Sequence, residues 1–134
     1  MSTTLQVRDE TTFSLGGHEE RGFTLDVSEG RITVRELIRA RVANEVGDYN
    51  LSQPEYFRGL VQPTGAERSL NGFKMPGRRR IDPERQFELA IKAFQGNGFI
   101  LLVDDRQVDD LEDEIQITQD TTVTFLKLVP LVGG

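Results

Sequence analysis

Thr121-Thr122-Val123-Thr124-Phe125-Leu126-Lys127-Leu128, followed by Val129-Pro130-Leu131-Val132-Gly133-Gly134, is the stretch that decides how the chain is read. The first eight residues are β-branched or apolar at most positions, which predicts a strand running from Thr121 to about Val129. The last six residues predict a slim tail that carries a free carboxylate, and fully extended they reach about 20 Å beyond the strand. Chance gives a Gly-Gly ending on the order of once in a hundred chains. The bland reading is an ordinary frayed end; the other is a terminus shaped for chemical activation.

Upstream of this strand, Asp104 to Asp120 is polar and acidic, with Val108, Leu111, Ile115 and Ile117 as isolated apolar anchors. Phe99-Ile100-Leu101-Leu102-Val103 reads as a strand buried on both faces. Asp82-Pro83 opens a helix, because Asp is a good N-cap and Pro is tolerated in the first turn. Phe87, Ala90, Ile91 and Phe94 form the apolar side of that helix, and Gly96 or Gly98 ends it. Residues 48–81 are punctuated by Pro54, Pro63 and Pro76, and a structureless loop of that length is unusual in a compact domain. The expectation is an ordered insertion. It holds a short helix through Tyr56, Phe57 and Leu60, and a turn at Thr64-Gly65 across which Leu60-Val61 pairs with Phe73-Lys74-Met75.

The first third of the chain is more regular. Leu5 and Val7 alternate with polar neighbours, as do Phe23, Leu25 and Val27, which predicts two antiparallel strands joined through a turn or loop at 16–20. Thr33 with Glu36 forms a capping box, and Val34, Leu37, Ile38, Val42 and Val46 recur at helical spacing. Gly47 is placed to close this helix in a left-handed conformation.

At 134 residues the chain has the size of one domain with a real core. Hydrophobic content of 37% and charged content of 28% suit a globular protein. No apolar run approaches the roughly 20 residues of a membrane span, and the start lacks a signal-peptide pattern. With no Cys, disulfides and thiolate chemistry are excluded, which is compatible with a cytoplasmic setting. The net charge of −6 argues against nucleic-acid binding.

The candidates for intrinsic chemistry are weak. His18 is the only histidine and has no strained nucleophile turn beside it. The acidic segment lacks the alternating oxygen ligands and turn glycine of a calcium loop, so a solvated loop is the simpler reading. Arg78-Arg79-Arg80 is a short basic run in an acidic chain, and an exposed charged face accounts for it. No catalytic residue, metal site or cofactor is expected. The carboxyl terminus remains. A carboxylate held in an adenylating enzyme can attack the α-phosphate of ATP, and the resulting acyl-adenylate is open to displacement. Glycine at 133 and 134 admits the backbone to a narrow channel, and Pro130 stiffens its approach.

The order strand, strand, helix, strand, polar segment, strand, Gly-Gly resembles the ubiquitin-like β-grasp family over roughly residues 4–47 and 99–134. The likeness is closest at the end, from Leu102-Val103-Asp104-Asp105-Arg106-Gln107-Val108 through Leu111-Glu112-Asp113-Glu114-Ile115 to the tail. It is similar there to bacterial ubiquitin-like modifiers and to the sulfur carriers of molybdopterin and thiamine biosynthesis. Two features depart from the compact carriers: the insertion at 48–98 with its second helix, and a Val-Pro-Leu-Val-Gly-Gly tail in place of tandem prolines.

The resemblance implies an α+β fold, a mixed sheet packed on a helix, with the insertion inside a single ubiquitin-like domain. It places the last strand centrally and parallel to the first, with Val123 and Phe125 towards the core. Leu126 and Leu128 then belong to an outward partner-binding patch, unless the insertion covers them. It implies a protein modifier, not itself an enzyme, adenylated at Gly134 and joined to target amines. Its partners would be an adenylating enzyme, a conjugating enzyme, an isopeptidase and the target proteins. The alternatives are a sulfur carrier bearing a C-terminal thiocarboxylate and a non-conjugated interaction module. Because the chain already stops at the second glycine, no maturation cut is expected. With only Lys74, Lys92 and Lys127, the protein offers few amines for conjugation to itself.

Overall fold

In the computed structural model, residues 2–12, 18–69 and 72–128 are described. The alternation of Leu5 and Val7 continues to Asp9, and β1 (Ser2–Thr12) runs antiparallel to β2 (His18–Ser28), with Leu5 opposite Leu25 and Val7 opposite Phe23. His18 and Glu20 therefore belong to a strand and not to the expected turn. An exposed Arg8–Glu20 ion pair of 3.0 Å spans the pairing there. A short β3 (Gly30–Thr33) follows and leads into α1 (Val34–Ser52).

The start of α1 is the one the sequence predicts. The Thr33 hydroxyl accepts from the Glu36 amide and the Glu36 carboxylate accepts from the Thr33 amide. The next free amides are satisfied by a distant segment: Val34 donates to the Asp113 carbonyl at 2.9 Å and Arg35 to that of Leu111 at 3.0 Å. The end of α1 differs from expectation. The helix passes through Gly47 and stops at Ser52, with Gln53 at φ 46° as its left-handed cap. A mid-helix glycine costs only about 1 kcal/mol, and two contacts beyond it hold the extra turn. Tyr49 packs edge-to-face on Phe57 at 5.5 Å, and the Asn50 side chain pairs with both backbone groups of Ile81.

Between the helices the chain forms β4 (Tyr56–Phe57), β5 (Glu67–Ser69) and β6 (Gly72–Lys74), a small sheet in the order β4-β6-β5. The expected short helix through Tyr56 and Phe57 is thus a strand, and Phe73-Lys74 pairs with Tyr56-Phe57 rather than with Leu60-Val61. Burial decides this: Phe57, Leu60, Met75 and Ile81 all reach the core, which a single helical turn beginning at Pro54 does not supply. The excursion runs tightly at Gly59, where an added Cβ would overlap the ring of the buried Phe57. Gly59→Ala is expected to cost about 1–3 kcal/mol through this overpacking, read as a lower urea midpoint at unchanged slope.

Then come α2 (Pro83–Gln95), capped by Asp82 as expected, β7 (Phe99–Val103), β8 (Arg106–Val108), β9 (Glu114–Ile117) and β10 (Thr122–Leu128). The main sheet has the order β2-β1-β10-β7-β8, and β9 pairs separately with β3. Its central strand, β10, runs parallel to β1 and antiparallel to β7, so the sheet is mixed and the fold is α+β. Leu5, Val7, Leu25, Val27, Leu101, Val123 and Phe125 meet α1 on one face. Phe94 of α2 joins the same core through Phe99, which in turn packs on Phe125 at 5.9 Å. In β7 only Phe99 and Leu101 are buried, while Ile100, Leu102 and Val103 are half-buried. The expectation of burial on both faces is corrected: the helices cover one side of the sheet. Among the described residues no helix is long and apolar enough to cross a membrane.

Candidate functional site

The tail residues Val129, Pro130, Leu131, Val132, Gly133 and Gly134 lie outside the described residues. What the structure does give is the platform from which they depart, the end of β10. Residues alternate across that strand, so its two faces carry different chemistry.

On the helix face, β1 and α1 bring a charged cluster into the core. Asp9 continues the inward parity of Leu5 and Val7, and Arg41 falls one turn beyond Leu37 on the buried side of α1. The Arg41 guanidinium binds the Asp9 carboxylate in a two-pronged contact, with Nη2 donating to Oδ2 at 2.7 Å and Nη1 to Oδ1. Its Nε donates to Glu45 Oε2 at 3.3 Å, and its Cζ lies 4.5 Å from the centre of the Phe125 ring. Lys127, the next inward residue of β10, donates to the Gly59 carbonyl at 3.1 Å and sits 3.8 Å from Asp9 Oδ2. Glu45 closes the arrangement by accepting from the Leu60 amide at 3.0 Å. Two cations and two carboxylates are thus gathered beneath the end of the central strand. Gly59-Leu60 ties the excursion to both α1 and β10 at the same point.

The electrostatics follow from burial. Desolvation opposes ionisation of Arg41, but the carboxylates of Glu45 and Asp9 outweigh it and raise its pKa. Burial holds the Glu45 carboxyl above the ordinary carboxylate range, opposed by Arg41 and the Leu60 amide. Burial also pulls the Lys127 ammonium down, with the Asp9 charge acting against it. Because the folded state binds the Glu45 proton more tightly than the unfolded chain does, this group favours folding below the ordinary glutamate range. That contribution is lost as pH rises through the raised value. Lys127 acts in the opposite sense at alkaline pH: its lowered value makes its contribution grow as pH rises towards the ordinary lysine range. Glu45→Gln keeps an acceptor for the Leu60 amide. Against the wild type its relative stability is expected to improve as pH rises from the ordinary glutamate range through the raised value of Glu45, seen by urea denaturation at each pH.

The outer face of β10 carries Thr122 and Thr124 and turns apolar at its end, with Leu126 and Leu128. Leu126 is half-buried and Leu128 is 40% exposed, so the excursion does not cover Leu128. Leu126 stands opposite Ile100 and Thr124 opposite Leu102, and paired residues share a face. Ile100 and Leu102 therefore extend the patch expected from Leu126 and Leu128 alone. A register could not be assigned to β7 from sequence, which is why its contribution was not foreseen. The signal for the charged cluster was present, in Asp9 at an inward strand position and Arg41 on an apolar helical stripe.

The other candidates are scattered. His18 lies on β2. Arg78, Arg79 and Arg80 are exposed beyond β6. The acidic segment serves local structure: Asp110 accepts from the Glu112 amide, Glu112 binds Arg35 at 2.8 Å, and Asp104 accepts from the Thr122 amide. Among the described residues no group of three His, Cys, Asp or Glu side chains is placed to hold a metal. An open cleft of about 670 Å³ lies where Arg21 and Phe23 of β2 face Asn44, Asp48, Tyr56 and Arg58. The neighbouring Tyr49 hydroxyl is buried with no hydrogen-bond partner among the described residues. No family model, curated protein or solved structure matches the chain.

Proposed function

We infer that the chain is a ubiquitin-like modifier with a β-grasp architecture, activated at the Gly134 carboxylate by an adenylating enzyme. The observation that carries this reading is the parallel pairing of β1 with β10 at the centre of the sheet, with α1 packed across both. A central strand held on two sides is a firm base for a segment that must be presented to another protein. The buried cluster at Lys127 and the Gly59-Leu60 contacts fix that base from the helix side.

The chemistry asks little of the chain itself. A Gly134 carboxylate oxygen attacks the α-phosphate of ATP, the bond to the β-phosphate breaks, and pyrophosphate leaves. A target amine then attacks the acyl carbon, AMP departs, a proton is released and an amide forms. The chain's part is to present glycines that fit a narrow channel and an outer face that docks the enzyme. Leu126 and Leu128, with Ile100 and Leu102, supply that face, and an exposed apolar patch on a sheet is suited to protein contact. Lys127 donates to a backbone carbonyl, which leaves Lys74 and Lys92 as the exposed lysines.

The reading is tested by ATP–pyrophosphate exchange. An adenylating enzyme mixed with the chain and ATP should exchange labelled pyrophosphate into ATP, and Leu128→Arg should weaken the dependence on chain concentration. Exchange that ignores the chain altogether contradicts the proposal.

A further inference from the structure

The excursion from Gln53 to Ile81 carries six cations, Arg58, Arg68, Lys74, Arg78, Arg79 and Arg80, against two carboxylates, Glu55 and Glu67. The rest of the chain holds ten cations against twenty carboxylates, so a +4 platform is set on a −10 body. All six cations are exposed. Among the described residues none of them forms an ion pair, whereas Arg8, Arg31, Arg35, Arg39, Arg41 and Arg85 each bind a carboxylate. The fold therefore neutralises its arginines nearly everywhere except here.

The platform is also fixed in place. Phe57, Leu60, Met75 and Ile81 are buried beneath it. Lys127 holds Gly59, Glu45 holds Leu60, Gln86 donates to the Val61 carbonyl at 2.8 Å, and Asn50 holds Ile81. A basic surface that is held this firmly presents its charge in a constant arrangement, which favours a partner of defined shape.

That partner is anionic, and the body's charge decides which kind. A long polyanion passing over the platform also meets a −10 body, and repulsion acts over about 8–10 Å at moderate salt. A compact acidic surface escapes this penalty. The chain itself carries one: Asp105, Asp109 and Asp113 are exposed in the segment between β7 and β9, and none of them forms an ion pair among the described residues. The six cations do not reach these carboxylates within one molecule, so their mutual attraction is satisfied only between molecules.

We propose that the 53–81 platform of one copy docks the acidic 104–113 segment of a second copy, head to tail. Such a contact joins two different patches, so it propagates into short open assemblies unless the rotation closes a ring. It does not depend on the modifier reading.

Sedimentation velocity of the full chain tests this. At about 50 mM salt the weight-average sedimentation coefficient should rise with protein concentration, and at about 500 mM it should fall to the monomer value as screening shortens. Arg78→Glu/Arg79→Glu/Arg80→Glu and Asp105→Lys/Asp109→Lys/Asp113→Lys should each be monomeric alone at low salt. All six positions are exposed, so the arginine variant should melt with the wild type, while the aspartate variant melts slightly lower because Asp105 sits at φ 67°. Mixed together, the two charge-reversed variants should regain association, since each then offers the complement of the other's altered patch. A wild type that stays monomeric at low salt overturns the proposal, as does association that survives the arginine reversal. Tight binding of the platform to a single-stranded oligonucleotide, without self-association, overturns it in favour of a polyanion site.

Discussion

Asp9→Ala is expected to lower the unfolding free energy by about 3–5 kcal/mol, the range for removing one partner of a buried ion pair. Arg41 is 1% exposed, so its guanidinium cannot turn to water when the carboxylate is gone. Two of its donors lose their acceptor at once, and Glu45 alone remains to balance it. Lys127 also loses the carboxylate that opposes its burial. The loss should appear as a lower urea midpoint at constant slope. The triple change Asp9→Leu/Arg41→Met/Glu45→Gln should recover much of it, because apolar residues avoid the desolvation of the charges and no buried carboxylate is left without its cation. A single variant losing less than about 1 kcal/mol would mean that water reaches the cluster, as at an exposed pair.

On the proposed modifier reading, Gly133→Val and deletion of Gly134 are expected to reduce ATP-dependent activation at least about 100-fold, since a displacement of about 1 Å at a reacting atom costs that much. Valine adds a branched side chain where the enzyme's channel must approach the backbone. Deletion leaves a carboxylate one residue short of the reacting position. Both changes follow β10 and its buried Val123 and Phe125 in the sequence, and both variants are expected to melt with the wild type. Activation that persists in either variant places the reactive group elsewhere on the chain.

Much of the fold was legible because local and long-range signals agreed. Val123 and Phe125 share the inward parity that a half-buried strand requires, and both are fully buried. Thr33 with Glu36, and Asp82 with Pro83, set helix starts whose side chains cap as their chemistry dictates. The failures have a common cause in tertiary contacts. Gly47 offered a local stop signal, but Tyr49 and Asn50 are held by Phe57 and Ile81 and carry the helix onward. Tyr56-Phe57 is too short to show a period, and its pairing with Phe73-Lys74 overrides the short helix expected through Tyr56, Phe57 and Leu60. At the site, Leu126 and Leu128 follow from the resemblance together with the parity of the last strand, while Ile100 and Leu102 need the register of β7. Asp9 and Arg41 interrupt apolar patterns, and neither position names its partner in the sequence.

The modifier reading meets its most direct test in intact mass spectrometry of the chain incubated with ATP and an adenylating enzyme, with lysine-bearing target protein and a sulfide source both present. The result it predicts is a covalent adduct joined by an amide from Gly134 to a target lysine, formed only with ATP and lost when Gly134 is deleted. Exchange of one carboxylate oxygen for sulfur, with no protein adduct, would contradict it in favour of a sulfur carrier. An active enzyme that leaves the mass unchanged would contradict activation altogether.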